Sequence, residues 1–198
     1  MVESAARLVG VDEFVQGLTA IPGFKPELVN AYIQGHRVRP ETLRPYLFFS
    51  PASYTRNLVF KNDLFEVIAI CWEIGQVSRI HNHRDQRCWM VVPIGQLKNQ
   101  NYRVVDRDPQ THTCGLAPSK GFLITPSAPC EVDQAEPVHQ VLNLAEYGER
   151  AVSLHLYSRP FNSCEVYSLE KGSYWDVPLS YNSEYGKLYP GEQGTAPH

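Results

Sequence analysis

The chain has 198 residues, a formal net charge of −3 and 20% charged side chains, a balance that argues against a nucleic-acid or membrane-surface partner. With 43% hydrophobic residues it has the composition of an ordinary globular protein, enough for one domain with a substantial core. No apolar run approaches the roughly 18 residues that cross a bilayer, and the opening stretch, with Glu3 and Asp12, lacks the apolar segment of a signal peptide. The five cysteines, Cys71, Cys88, Cys114, Cys130 and Cys164, are odd in number, widely spaced and free of any CxxC pair. They fit neither a disulfide framework nor a structural zinc site, so a reducing cytoplasm is expected.

Residues 1–50 read as a small helical cap. Asp12 is placed to cap a helix whose apolar residues Phe14, Val15 and Leu18 recur at helical spacing. Pro26 opens a second helix, PELVNAYIQG, closed by Gly35. A third, PETLRPYLFF, is shorter and interrupted by Pro45.

From Tyr54 onward the pattern turns to strands. SYTRNLVF alternates, with Tyr54, Arg56 and Leu58 on one face and Thr55, Asn57 and Val59 on the other. FEVIAICWEI is a continuous apolar run, as in a strand covered on both sides. SRIHNH, RCWMVVPI, LKNQNYRVVD, GFLITPSA, VHQVLNL and AVSLHLYS follow, with RDPQTHTCG and QAEP as turns. So many short strands separated by turn formers predict a mainly β, antiparallel sandwich or barrel over 51–172. Residues 173–198, rich in tyrosine and turn formers, are expected to wrap the surface and end in a tail, all within one domain.

The chemistry concentrates between Gly75 and Gly95. His81 and His83 stand one residue apart on a predicted strand, so both imidazoles share a face and can hold one metal ion. A third ligand must come from a distant strand. His139, flanked by apolar residues and followed by Asn143, is the stronger candidate and His155 its competitor; His36, His112 and His198 fall in a helix end, a turn and the tail.

The spacing Gly75, five residues, His81, one residue, His83, four residues, Cys88, six residues, Gly95 resembles the first motif of the cupin superfamily, with cysteine where most cupins carry a glutamate ligand. His139 with Asn143 resembles the end of the second motif. The cysteine variant is similar to one branch, the cysteine dioxygenases, which share YTRNLV (54–59), Cys71-Trp72, the His-x-His with its later cysteine, SLHLYS (153–158) and Cys164.

The resemblance implies a single cupin-type, jelly-roll-like barrel and an iron(II) cofactor on His81, His83 and His139. It also implies a reaction that places both atoms of O2 on the sulfur of L-cysteine to give cysteine sulfinate. A site of three neutral histidines leaves a divalent ion its full charge, which favours a substrate thiolate. Arg56, with a planar fork that matches a carboxylate, is expected to bind the substrate carboxylate, with Tyr54 beside it. On AVSLHLYS, Ser153, His155 and Tyr157 share one face. The resemblance implies a relay in which Ser153 orients His155 and His155 orients the Tyr157 hydroxyl, which removes His155 from the ligand set. It further implies a thioether between Cys88 and the Tyr157 ring.

Trp72 is expected in the core or as a wall of the site, and Cys164 either at its entrance or inert. Two departures stand out. Asn82 replaces an aspartate common in the family, and Arg159 replaces the first proline of a Ser-Pro-Pro run, which removes any expectation of a cis bond after Ser158. The competing readings are a dioxygenase of 3-mercaptopropionate or another small thiol, and a cupin isomerase or binding protein using manganese, nickel or zinc. A monomer is expected.

Overall fold

In the computed structural model, which describes residues 6–189, most elements are strands. In chain order, β1 (Arg7–Val9) leads into α1 (Val11–Thr19), and α2 (Pro26–Gly35) leads into β2 (His36–Val38), which pairs parallel with β1. Next come β3 (Thr55–Lys61), β4 (Phe65–Trp72), β5 (Ile80–His81), β6 (Arg87–Ile94), β7 (Leu97–Asp108) and β8 (Thr113–Ile124). The chain continues with β9 (Cys130–Glu131), β10 (Val138–Leu142), β11 (Ala151–Ser158), β12 (Ser163–Ser168), β13 (Ser173–Pro178), β14 (Ser183–Glu184) and β15 (Lys187–Leu188). None of the described helices is long and apolar enough to cross a membrane.

Two sheets make the cupin-type body. One runs β15-β14-β3-β4-β11-β6-β9, antiparallel except for the parallel pair β14–β3. The other closes on itself in the order β10-β5-β12-β13-β8-β7, the last closure resting on the single pair Ser173–Thr113.

The large sheet explains the continuous apolar run of β4, whose eight residues are all buried. Val67, Ala69 and Cys71 face the helices and pack with Phe14, Leu18, Val29 and Ile33. Ile68, Ile70 and Trp72 face the interior with Cys88, Met90 and Tyr157. β11 divides the same way, with Val152, Leu154 and Leu156 toward the helices. Its inner face therefore presents Ser153, His155 and Tyr157 to the space between the sheets. Burying each large aliphatic side chain contributes roughly 1.5–3 kcal/mol, and the helical cap supplies the partner that makes this possible on the outer face.

The structure departs from the sequence expectations in several places. Gly10, not Asp12, stands at the N-cap of α1, with no side-chain cap bond; Asp12 lies in the first turn, and Thr42 Oγ1 accepts the Val11 N–H at 3.0 Å. The third helix is a 3-10 segment, Pro40–Tyr46, containing Pro45. β8 begins at Thr113, so residues read as a turn and a gap join a long hairpin with β7. The stretch after Gly172 supplies β13, paired along its length with β12, and β14, paired with β3. The stretch that looked like surface wrap therefore supplies strands to both sheets. Residues 190–198, expected as the tail, lie outside the described residues.

Gly75 and Gly95, which bracket the histidine stretch, both adopt positive φ, 83° and 71°. At Gly95 a Cβ would come within 2.6 Å of the Arg150 carbonyl oxygen, so a side chain is excluded on two counts.

Candidate metal centre and substrate pocket

His81 ends β5 and lies directly across from His139 on β10. The strand stops there. His83 lies beyond it, in a turn closed by a hydrogen bond from the Gln86 N–H to the His83 carbonyl at 2.9 Å and followed by Arg84 and Asp85 at positive φ. The expected single strand through both histidines is thus corrected, but the turn folds His83 back to the same point. Ligand atoms of His81, His83 and His139 all lie within 4.8 Å of one another, and the Nε2 atoms of His83 and His139 are 3.2 Å apart.

Hydrogen bonds behind two of the rings set their tautomers, while His83 Nδ1 is buried without a partner. The Arg79 carbonyl accepts from His81 Nδ1 at 2.8 Å, and Asn99 Oδ1 accepts from His139 Nδ1 at 2.6 Å. A ring that donates through Nδ1 keeps its lone pair on Nε2, turned toward the common point. Burial lowers the His81 pKa to about 4, and burial with the neighbouring histidines holds His83 and His139 well below their ordinary value. All three are neutral at pH 7, the state that can ligate.

His81 and His83 line a cavity of about 320 Å³, to which Tyr54, Arg56, Arg79, Tyr157 and Phe161 also contribute, and His139 stands behind them. Its lining includes two arginines and no carboxylate. Arg56 is buried on β3; its Nε donates to the Ser180 carbonyl at 3.2 Å, and its backbone N–H to Asn182 Oδ1 at 2.8 Å. Arg56 Nη2 is buried with no partner. Tyr54 precedes β3 and stacks on Trp72, ring centroids 4.7 Å apart. Cys88 and Tyr157, both buried, face each other across β6 and β11.

A family model described as cysteine dioxygenase type I matches residues 2–170. Cysteine dioxygenase type 1 of Danio rerio is 32% identical over 167 residues, which span 84% of this chain and 81% of that one. The Bos taurus protein of the same name is 29% identical over 165 residues, covering 83% and 80%. The chain belongs to the cysteine dioxygenase type I family. It is therefore a dioxygenase, and its three-histidine cluster is suited to a metal cofactor.

In this dioxygenase His155 lies apart from the histidine cluster. His155 Nε2 is 3.0 Å from Ser153 Oγ and its Nδ1 is 3.1 Å from the Tyr157 hydroxyl. Trp72 Nε1 donates to Ser153 Oγ at 3.0 Å, a contact no sequence pattern announced. The tryptophan N–H can only donate. Ser153 Oγ accepts from it, and the serine's second acceptor site and its own proton let it bond His155 Nε2 in either tautomer, with the other ring nitrogen bonded to the Tyr157 hydroxyl. Burial lowers the His155 pKa to about 3 and raises those of Tyr157 and Cys88 well above their ordinary values. The hydroxyl and the thiol are both protonated at neutral pH.

Sequence reasoning also missed the support behind the ligands. Asn82 points away from the cavity and donates to Glu165 Oε2 at 2.8 Å and to the Tyr167 hydroxyl at 3.1 Å. Arg107 clasps both oxygens of Glu165, at 2.6 and 3.2 Å. The Asn82 amide thus serves a carboxylate on the adjacent strand. Asn99, the partner of His139, had one signal available: Asn99 and Asn101 alternate in LKNQNYRV, and both are buried. Asn143 lies outside the site, donating to the carbonyls of Glu73 and Glu149 at 3.1 and 3.0 Å. Cys164 lines the cavity.

Proposed function

We propose that the enzyme is an iron(II)-dependent dioxygenase that converts L-cysteine and O2 to cysteine sulfinate. The observation that carries this reading is the buried, unpartnered Arg56 Nη2 in a carboxylate-free cavity beside three neutral histidines. A guanidinium already out of water loses little on taking a substrate carboxylate, which it binds with two parallel hydrogen bonds.

His81, His83 and His139 fit iron(II): three imidazole nitrogens on one side, no protein anion among them, and open positions toward the cavity. Bound there, iron(II) would supply the charge that makes the substrate thiol a thiolate and the electrons that engage dioxygen. Both oxygen atoms end on sulfur, so the balance R–SH + O2 → R–SO2H needs no outside reductant.

The chain's own residues orient the substrate and keep its protons in place. Arg56 holds the carboxylate, and Tyr54, packed on Trp72, walls the same side. Tyr157, steadied by Ser153 through His155, directs its hydroxyl proton into the cavity. Cys88 is the proposed partner of Tyr157 in a thioether that locks the ring.

The test is oxygen uptake by the iron-loaded protein with L-cysteine, 3-mercaptopropionate and cysteamine, with the product identified by mass. L-Cysteine is expected to be the best of the three and to yield sulfinate. No thiol-dependent oxygen uptake would overturn the reading, and cysteamine turned over as well as L-cysteine would remove Arg56 from it.

A further inference from the structure

One buried carboxylate near the site has no part in the scheme above. Glu66 on β4 is fully buried, on the inner face with Ile68, Ile70 and Trp72, and opposite Tyr157 in the β4–β11 register. Its Oε2 accepts a hydrogen bond from the Tyr181 hydroxyl and lies 4.0 Å from Lys61 Nζ, while Oε1 has no partner. Lys61 Nζ donates to the Tyr181 oxygen at 3.4 Å and sits 5.6 Å from the centre of its ring. A chain of donors therefore runs inward from the surface, Lys61 to Tyr181 to Glu66.

Tyr181 occupies the middle of the segment that holds Arg56. On one side of it, the Ser180 carbonyl accepts from Arg56 Nε. On the other, Asn182 Oδ1 accepts from the Arg56 N–H, and the Asn182 N–H donates to the Arg56 carbonyl at 2.8 Å. A carboxylate at this depth is costly unless hydrogen bonds and nearby cations compensate it. Lys61 and Arg56 are those cations, Arg56 interacting with Glu66 through its charge. Glu66 does not line the cavity.

We propose that Glu66 is a positioning residue for substrate recognition: by accepting the Tyr181 hydroxyl it pins Ser180–Asn182, and through the Ser180 carbonyl it fixes the plane of the Arg56 guanidinium. The inference rests on Arg56 as the carboxylate binder. It predicts a specificity effect that a merely structural residue would not produce, because only a substrate with a carboxylate reads the guanidinium plane.

The experiment compares the iron-loaded full chain with its Tyr181→Phe and Glu66→Gln variants, using L-cysteine and cysteamine, each variant first shown by a thermal melt to be folded. Tyr181→Phe should raise KM for L-cysteine about tenfold, the size expected when a hydrogen bond to a charged group is lost. It should leave kcat within about twofold and both constants for cysteamine unchanged. Glu66→Gln, whose amide oxygen still accepts from Tyr181, should keep KM for L-cysteine within about threefold of the parent. Equal changes for both thiols, a fall in kcat alone, no change at all, or a Glu66→Gln variant that behaves like Tyr181→Phe would each overturn the inference. If the parent itself does not prefer L-cysteine over cysteamine, the reading of Arg56 fails. If the parent keeps that preference and Tyr181→Phe keeps it equally, only the role of Glu66 fails.

Discussion

Tyr157 and Cys88 stand directly opposite one another on antiparallel strands, both buried between the sheets, with Tyr157 at the cavity wall. The two side chains belong to the same buried cluster. A thioether would exchange the S–H and one ring C–H for a C–S bond, with two electrons and two protons passing to dioxygen.

The first prediction concerns that bond. Purified active protein should contain a species lighter than the unmodified chain by two hydrogens, located by peptide mass mapping to Cys88 and Tyr157. Cys88→Ala should abolish it and lower kcat about tenfold, since a freed ring no longer holds its hydroxyl in one place. An unaltered mass in fully active parent protein would show that the crosslink is not required.

Arg56→Ala should weaken binding of L-cysteine by roughly 2 to 5 kcal/mol, the range seen when one partner of a buried charge pair is removed. Cysteamine, which lacks the carboxylate, should be unaffected. Arg56→Lys should recover little, because an ammonium cannot make the two parallel bonds or keep the contact from Nε to Ser180. Steady-state kinetics on the two thiols checks all three statements.

How much of this was readable in the sequence depends on which contacts are local. Period-two alternation was enough to put Ser153, His155 and Tyr157 on one face and Arg56 beside Tyr54, because those residues sit on or next to a single strand. The convergence of His81 and His83 was foreseen for a partly wrong reason, since a turn at positive φ and not a continuous strand returns His83 to the site. That Asn99 stands behind His139, Trp72 on Ser153 and Glu165 on Asn82 was not readable as a pairing, even where, as at Asn99, a polar alternation marked one of the two residues. Each joins segments between 40 and 83 positions apart, and only the strand register brings them together. The strand character of residues 113–120 was hidden for a different reason: ten of the twelve residues of Thr113–Ile124 are exposed or partly so, and the hairpin partner, not an apolar pattern, fixes the strand.

His155 should make the fold sensitive to acid. Its folded-state pKa of about 3 lies below the ordinary 6.5. Between those values the unfolded chain binds a proton that the folded chain does not. Stability from this residue is therefore complete above pH 6.5 and declines as pH falls toward 3, at up to about 1.4 kcal/mol per pH unit. His155→Gln should flatten the pH dependence of urea unfolding by one proton between about pH 6 and pH 4. A variant with the parent's slope would mean that His155 is not held neutral by the fold.

Restoring the family's aspartate at position 82 should harm this protein. Asn82→Asp would lose the donor that Glu165 Oε2 receives and set a second carboxylate beside it. A cost of about 2 to 3 kcal/mol is expected, with weaker metal retention because His81 and His83 flank the position. Glu165→Gln in the same chain should return most of the stability, which a double-mutant cycle in urea measures directly.

Arg159 offers the last prediction. From the resemblance, a proline was the alternative at this position; here φ is +66° and the backbone N–H donates to the Leu64 carbonyl at 2.8 Å. Proline fixes φ near −65° and has no N–H, so Arg159→Pro should cost about 3 kcal/mol here. It should also disturb Phe161, two residues on, whose ring meets Tyr157 edge-on at 5.0 Å, and so lower kcat/KM for L-cysteine. Arg159→Gly, which adopts positive φ freely, should be neutral or stabilise by up to about 1 kcal/mol. Urea unfolding of the two variants separates backbone compatibility from loss of the arginine side chain, because both remove the guanidinium and only one can keep the turn. An Arg159→Pro variant as stable as the parent would mean that this turn can adopt the family's conformation after all.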